Sequence, residues 1–307
     1  MVIIRQLERA DIAEVTQRSS AQLVRDAERN PMVSPRFDSE TLAAAFASSL
    51  ASTWVALVGE HIAGHLYGAV LDDPAQGTGA WVGPDGASFD DVTILRELYL
   101  VASQAWTEAG ALAHFVWVLN EASALAAWQS LGFQPVHQRG VLQLTAATPL
   151  AMPDGYRLRR ATSDDLDAAI RLTALIDQAQ AGTMSGPVSL GADDLADVVA
   201  DSLNDPDNLY FVVDAGSETV GQCVLFDLAQ RRGSFAHTMH LSAVSVDEAH
   251  QGRGVATGML HAVLDKARRG GAQFIETNWH VSNTRASRYW LSFGFTPTYV
   301  RLQRTSS

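Results

Sequence analysis

The sequence predicts an α+β chain made of two tandem copies of one unit, each a mixed but mostly antiparallel central sheet flanked by helices. Three observations carry this reading. The chain has 307 residues, long for a single compact core when a domain takes roughly 100 to 200. Near its midpoint, Leu144-Thr-Ala-Ala-Thr-Pro-Leu-Ala-Met-Pro-Asp-Gly155 has two prolines, small residues and no periodicity, as a linker should. Seven positions also recur at one constant offset of 162: Trp117 with Trp279, Ala124 with Ala286, Trp128 with Trp290, Ser130 with Ser292, Gly132 with Gly294, Phe133 with Phe295 and Pro135 with Pro297. The boundaries that follow are residues 1–146, a linker 147–155, and residues 156–307.

The elements support the repeat in order. Ile3-Ile-Arg-Gln-Leu-Glu-Arg-Ala-Asp-Ile12 parallels Arg157-Leu-Arg-Arg-Ala-Thr-Ser-Asp-Asp-Leu166: a short strand, a polar turn and an aspartate able to cap a helix. Trp54–Gly64 and Tyr210–Gly221 each read as a hairpin. Leu241–Leu260 runs from a strand through a glycine-bearing polar turn into a helix. Its apolar face repeats every four residues at Val255, Met259, Val263 and Ala267, with Leu260 and Leu264 beside it, and Gly270-Gly271 stops it. Each unit thus runs strand, helices, strands, long helix, strand, helix, terminal strands, which is not a uniform βαβα pattern.

Composition narrows the function class. With 47% hydrophobic and 18% charged residues the chain should fold. Its one cysteine, Cys223, sits in the apolar run Val220–Phe226, where it reads as a small buried hydrophobe; a lone thiol forms no internal disulfide and fits a reducing compartment. No 18-residue apolar run occurs and the start lacks a signal-peptide pattern, so a cytoplasmic location is expected. The net charge is -12, split as 8 basic against 16 acidic residues before position 151 and 14 against 18 after it. That carboxylate excess disfavours nucleic acid and anionic membranes, and it suits an amine substrate. The less acidic second half better suits an anionic cofactor.

The informative turn lies in that half. A glycine-bearing turn into a helix offers unpaired N–H groups backed by the positive end of the helix dipole, which suits a pyrophosphate. Gly252 and Gly254 permit close approach, and Arg253 adds charge. Gln251-x-x-Gly254-x-Ala256, after the strand ending at Val246, resembles the acyl-CoA-binding motif of the GNAT superfamily of N-acyltransferases. Asn283-x-x-Ala286, Gly294-Phe295 and the strand Pro297–Leu302 resemble that superfamily's second block. The match covers most of 240–302. It implies that Val244-Ser245-Val246 splays from its neighbour and binds pantetheine through its backbone. It further implies a turn in which Gln251 completes the motif, Gly252, Arg253, Gly254, Val255, Ala256 and Thr257 offer N–H groups to the pyrophosphate, and Asn283 contacts the cofactor arm. The implied reaction is transfer of an acetyl group from acetyl-CoA to an amine of a small molecule or peptide by direct attack, with no metal ligand set assigned.

Family members often place the base six residues before the position of Val246, which is His240 here, and histidine titrates near neutrality. Glu276 is a second candidate, sharing a strand face with Asn278 and His280 by alternation; Asn278 stands where some family enzymes have glutamate, and an amide is no base. His237, three residues before His240, is expected on the opposite face. The resemblance puts the acid seven residues after Asn283, at Trp290, and indole yields no useful proton. Tyr289 or Tyr299 then substitutes, or thiolate leaves unaided, or the domain binds without catalysing. Shifting the turn back by 162 gives Phe89, Asp90, Asp91, Val92 and Ile94, with Glu121 for Asn283. The first half therefore reads as a degenerate scaffold beside the acceptor cleft. An N-acetyltransferase is the leading expectation, against a non-catalytic acyl-CoA-binding or assembly protein. The acceptor depends on loops such as Ala179–Pro187, and oligomeric state stays open.

Overall fold

The computed structural model describes residues 1–35, 37–73, 76–146, 150–181, 191–228 and 234–305; the first three residues of the linker and most of the loop at 179–187 lie outside them. The chain divides into two compact units. Unit 1 comprises Met1–Arg139, Arg232–Phe235 and Pro297–Ser307, and unit 2 comprises Gly140–Arg231 and Ala236–Thr296. Among the described residues no helix is long and apolar enough to cross a membrane.

The first half of the chain forms β1 (Val2–Gln6), α1 (Ile12–Arg29), α2 (Ser39–Ser48), β2 (Thr53–Val58), β3 (His61–Tyr67), β4 (Ala69–Asp73), β5 (Gly77–Val82), β6 (Ala87–Phe89), α3 (Val92–Glu108), β7 (Ala113–Leu119), α4 (Ala122–Gln129) and β8 (Gln134–Gln143). The second half forms β9 (Tyr156–Arg160), α5 (Leu166–Ala181), α6 (Ala192–Asn204), β10 (Leu209–Ala215), β11 (Glu218–Asp227), β12 (Thr238–Val246), α7 (Val255–Arg269), β13 (Phe274–His280), α8 (Thr284–Phe293) and β14 (Thr296–Thr305). The order matches the α+β repeat, and β2–β3 and β10–β11 are the expected antiparallel hairpins.

In unit 1 the sheet is broken in two. One piece runs β1-β2-β3-β6, and the other runs β4-β5-β7-β14 and on to β8. The break falls at Gly83–Gly86, where the Gly86 N–H closes a turn on the Gly83 carbonyl at 2.9 Å and the chain leaves β5 to return as β6. A Cβ at Gly86 would lie 2.8 Å from the Tyr67 carbonyl, so the close approach requires glycine. The strand at the C-terminal end of the sequence, β14, belongs to this unit. It pairs antiparallel with β7 from Tyr299↔Leu119 to Thr305↔Ala113 and buries Val300 and Leu302 in a core with Trp106, Trp128 and Phe133.

Unit 2 keeps one sheet, β13-β12-β11-β10-β9. One face holds its main core, where Val255, Met259, Val263 and Ala267 of α7 pack with Cys223, Ile275, Trp279, Trp290 and Phe295. The periodic face of the sequence is therefore the buried one. Helix α7 ends at Gly270, with Gly271 in the left-handed region at φ +103°. Gly258 on α7 lies under the linker: a Cβ there would come within 3.1 Å of Pro153 Cδ and 3.2 Å of the Ala151 carbonyl.

Two buried histidines make unit 1 sensitive to acid. His65 is fully buried, with Nε2 3.0 Å from the Ser19 hydroxyl, which itself donates to the Asp85 carbonyl at 2.6 Å. Burial pushes its pKa down to about 4, and does the same to His114, whose Nδ1 meets the Tyr99 hydroxyl at 2.8 Å. Unfolded imidazoles protonate near 6.5, so between these values the unfolded chain binds more protons and stability falls with falling pH. The loss reaches on the order of 3 kcal/mol per histidine at pH 4. Five of the seven tryptophans lie in unit 1, so denaturation followed by fluorescence should be level above pH 7 and weaken steadily from 6.5 to 4. A profile level through that window would contradict this.

Candidate active site

The site of unit 2 begins with a fork. Strand β12 runs parallel to β13 only from Thr238↔Phe274 to Leu241↔Thr277; beyond that point the two strands part. The Thr277 hydroxyl donates to the Leu241 carbonyl at 2.8 Å and closes the apex. The splay expected at Val244-Ser245-Val246 is thus present, and its backbone phase can be read from the other edge. Asp247 N–H bonds the Val220 carbonyl at 2.9 Å, and the register Gly221↔Val246, Gln222↔Ser245, Cys223↔Val244 continues from it. Alternation in an antiparallel ladder then turns the N–H and C=O groups of Val244 and Val246 away from β11 and into the fork.

Beyond the fork the turn is left-handed twice, at Gly252 (φ +73°) and Gly254 (φ +78°). An added Cβ would meet nothing within 4 Å at Gly252 and only Pro153 Cγ at 3.7 Å at Gly254, so glycine is required there by backbone conformation. Gly254 is the N-cap of α7 and has no side chain to cap it, and among the described residues no side chain accepts from its first amides, which leaves Val255, Ala256 and Thr257 N–H for an external acceptor. Arg253 is exposed beside them. Gln251 has an internal task, since its Nε2 donates to the Val246 carbonyl at 2.9 Å and fixes the turn to the strand. Asn283 likewise N-caps α8, its Oδ1 accepting from Ala286 N–H at 2.9 Å.

These parts enclose a cleft of about 390 Å³. Its walls come from β12, β13, the start of α8 and, on one side, Leu175, Ile176 and Ala179 of α5. Three polar atoms on residues of this wall are buried without a hydrogen-bond partner among the described residues: Ser245 Oγ, Asn278 Oδ1 and Tyr289 OH. Each such atom costs about 1–3 kcal/mol when left unsatisfied, so three around one cleft suit a ligand that supplies partners. The Tyr289 hydroxyl faces Thr257 without closing a bond to it, and burial pushes its pKa up to about 12.

His240 and Glu276 form the register pair just behind the apex, with His240 Nδ1 4.0 Å from Glu276 Oε1 and both side chains largely buried. The His240 ring lies 4.9 Å from that of Phe226. Neither residue lines the cleft itself. His280, on the face of Glu276 and Asn278, accepts at Nδ1 from the Ser282 hydroxyl at 2.6 Å and serves the turn into α8. His237 precedes the strand in a left-handed conformation, φ +55°, so strand alternation does not apply to it. Trp290 packs edge-on against Phe295 with ring centroids 5.2 Å apart, and Trp128 meets Phe133 at the same 5.2 Å in unit 1. Tyr299 belongs to unit 1, buried and donating to Asp26 at 3.2 Å, and is no part of this cleft. Sequence reasoning did not find Ser245 Oγ and Asn278 Oδ1 as orphaned groups; only strand alternation put Asn278 on the right face.

The forked strands, the glycine turn and the uncapped helix coincide with a match to the acetyltransferase (GNAT) family model over residues 176–295. Unit 2 carries a GNAT domain. Solved structures share the two-unit fold along the whole chain. A GCN5-related N-acetyltransferase from Sphaerobacter thermophilus is 18% identical with a TM-score of 0.68, covering 99% of this chain and 95% of its own. A tandem GNAT protein from the clavulanic acid biosynthesis pathway is 15% identical with a TM-score of 0.58, covering 100% and 99%. A GNAT-family acetyltransferase from Colwellia psychrerythraea is 16% identical with a TM-score of 0.54, covering 99% and 100%. No curated protein matches the chain.

The GNAT turn has no counterpart in unit 1. There the N-cap of α3 is Asp91, whose Oδ1 accepts from Thr93 N–H at 2.7 Å and Ile94 N–H at 3.1 Å. The amides that unit 2 leaves open are closed by the chain's own carboxylate. For α8 the capping role of Asn283 predicts that Asn283→Ala costs about 1 kcal/mol and lowers the melting temperature by a few degrees, while Asn283→Asp retains stability. An unchanged melting temperature for Asn283→Ala would show that the cap contributes nothing.

Proposed function

We propose that the GNAT domain transfers an acetyl group from acetyl-CoA to an amine of a small molecule or peptide by direct attack. The observation that carries this reading is the fork between β12 and β13 leading straight to the uncapped N-terminus of α7. In this reading Val244 and Val246 hold the pantetheine arm through backbone groups, with Ser245 between them. The amides from Gly252 to Thr257 hold the pyrophosphate with Arg253 beside them, and Gln251 and Asn283 fix the two ends of the wall. Bound acetyl-CoA supplies the activated thioester carbonyl.

His240, which stands behind the apex and not in the cleft wall, takes the proton from the attacking amine nitrogen through water, and buried Glu276 stabilises the charge the ring acquires. Tyr289 keeps its proton across the working range because its pKa stands at about 12. A thiol is the stronger acid, near 8.5, so Tyr289 stabilises the departing sulfur by donating a hydrogen bond and does not protonate it outright. Trp290 has no part in proton transfer. The repeats, residues 1–146 and 156–307 joined through 147–155, are read as copies of one ancestor of which only the second kept the donor site. The lone thiol, Cys223, fully buried and with its pKa raised by burial, accords with a cytoplasmic setting.

Arg253→Glu would set a carboxylate beside the open amides of α7, so CoA affinity measured calorimetrically should fall by about tenfold or more, with the fold intact because Arg253 is exposed. His240→Ala should lower thioester turnover with an amine panel by roughly 10²–10⁴ and leave CoA affinity unchanged. Tight CoA binding with no turnover by the wild-type protein on any amine, and no effect of His240→Ala, would overturn the catalytic reading in favour of a binding protein.

A further inference from the structure

Unit 1 has a fork of its own. Strand β5 pairs parallel with β7 from Gly79↔Ala113 to Val82↔Val116 and then ends, while the chain turns through Gly83–Gly86 and returns as β6 on β3. Trp117, Val118 and Leu119 of β7 continue without β5 beside them. A cleft of about 800 Å³ opens there, walled by α1, β6, β7 and α4. Asp91 already occupies the amides of α3, and Asp90 stands at the rim, so a pyrophosphate finds neither donors nor a tolerable field.

The wall facing this cleft is nevertheless cationic. Arg18, Gln22, Arg25 and Arg29 share one face of α1, and a rise of 1.5 Å per residue sets Arg25 about 10 Å from Arg18 and about 6 Å from Arg29 along the axis. Three of the eight basic residues in an otherwise acidic half lie on this stripe. Arg18 is committed, with Asp90 at 2.6 Å, Ser88 Oγ at 3.2 Å and the Ala63 carbonyl at 3.1 Å. Arg29 meets Glu121 at 2.9 Å, but both are exposed, and such a pair is worth only about 0–1 kcal/mol. Arg25 has only the Gln22 side-chain carbonyl, at 2.8 Å, and among the described residues no carboxylate stands within ion-pair reach of it. Asp26, the acid that follows Arg25 in α1, is buried, accepts from Gln22 Nε2 at 2.7 Å and from the Tyr299 hydroxyl at 3.2 Å, and has its pKa raised by burial, which weakens it as a counter-charge. The floor is apolar, with Val116, Val118, Ala127 and Trp128.

We propose that the forked cleft of unit 1 is a second ligand site, which takes a small organic carboxylate with an apolar body. The body lies on the β7–α4 floor and the carboxylate is held by Arg25, with Arg29 released from Glu121 to close a two-guanidinium clamp. This site is independent of the acyl-donor reading of unit 2, and the two are separable by experiment.

The test is calorimetric titration of the full chain with hexanoate, phenylacetate and inorganic phosphate, each with and without saturating CoA. The expected result is saturable binding of at least one of the two carboxylates at one site per chain, unaffected by CoA. The double variant Arg25→Gln/Arg29→Gln should weaken that binding about tenfold or more, since charge-assisted hydrogen bonds are lost, and keep CoA affinity at the wild-type value. Both arginines are exposed, so circular dichroism should be unchanged. No saturable binding of either carboxylate, competition by CoA, unaltered affinity in the double variant, or binding of phosphate alone would each overturn the assignment. Failure of CoA itself to bind would count against the donor site of unit 2 and leave the carboxylate result standing.

Discussion

One bulge in β12 sets up the rest of unit 2. The register of β11 against β12 passes from Leu225↔Leu241 to Val224↔Ala243, so Ser242 is an extra residue with no opposite partner. An inserted residue bends its strand and increases the local twist, and here it does so one position after the last pair with β13. The strand stays on β11 and leaves β13. Everything the site needs follows from that departure: two valines with backbone groups facing an open slot, and a turn delivered to its end. Without the bulge, β12 and β13 would pair to their ends and the slot would be filled by ladder hydrogen bonds.

Unit 1 reaches a fork by a different route, through the Gly83–Gly86 interruption, yet treats its long helix in the opposite way. The first amides of a helix need an acceptor, and it can come from within the chain or from outside but not from both. Gly254 has no side chain and holds a left-handed conformation, so the acceptor for α7 must be external. Asp91 has a side chain of the right length and an extended backbone, so the acceptor for α3 is its own. A single residue type at one cap position thus separates two copies of the same architecture.

Much of this was legible in the sequence because it rests on local chemistry. The 162-residue offset marked Trp128–Phe133 and Trp290–Phe295, which adopt one packing geometry in both units. The periodic face of α7 is the buried face, and the glycines of the turn sit where left-handed backbone is required. Long-range partnership was not legible. The alternation of Thr296–Thr305 identifies a strand and its faces, but a period of two carries no address, and β14 found β7 of unit 1. Nor did the residue types reveal that Gln251 and Asn283 are each tied to a nearby backbone group, because an amide side chain that caps and one that binds ligand look alike in sequence.

The two faces of β13 explain how a folded core and a polar site share one strand. Ile275 and Trp279 point into the apolar core with α7, where burial of large side chains holds the unit together. Glu276, Asn278 and His280 alternate onto the other face, and that face is polar at every step from the apex outward. A buried carboxylate such as Glu276, 2% exposed, is costly in an ordinary core and is tolerated only beside a cation or hydrogen-bond donors. His240 is the neighbour at its register position. Trp290 and Tyr289, successive on α8, both pack at the apolar core and both line the cleft, so chemistry and not placement separates them: an indole N–H yields no useful proton, whereas a phenol hydroxyl donates a hydrogen bond.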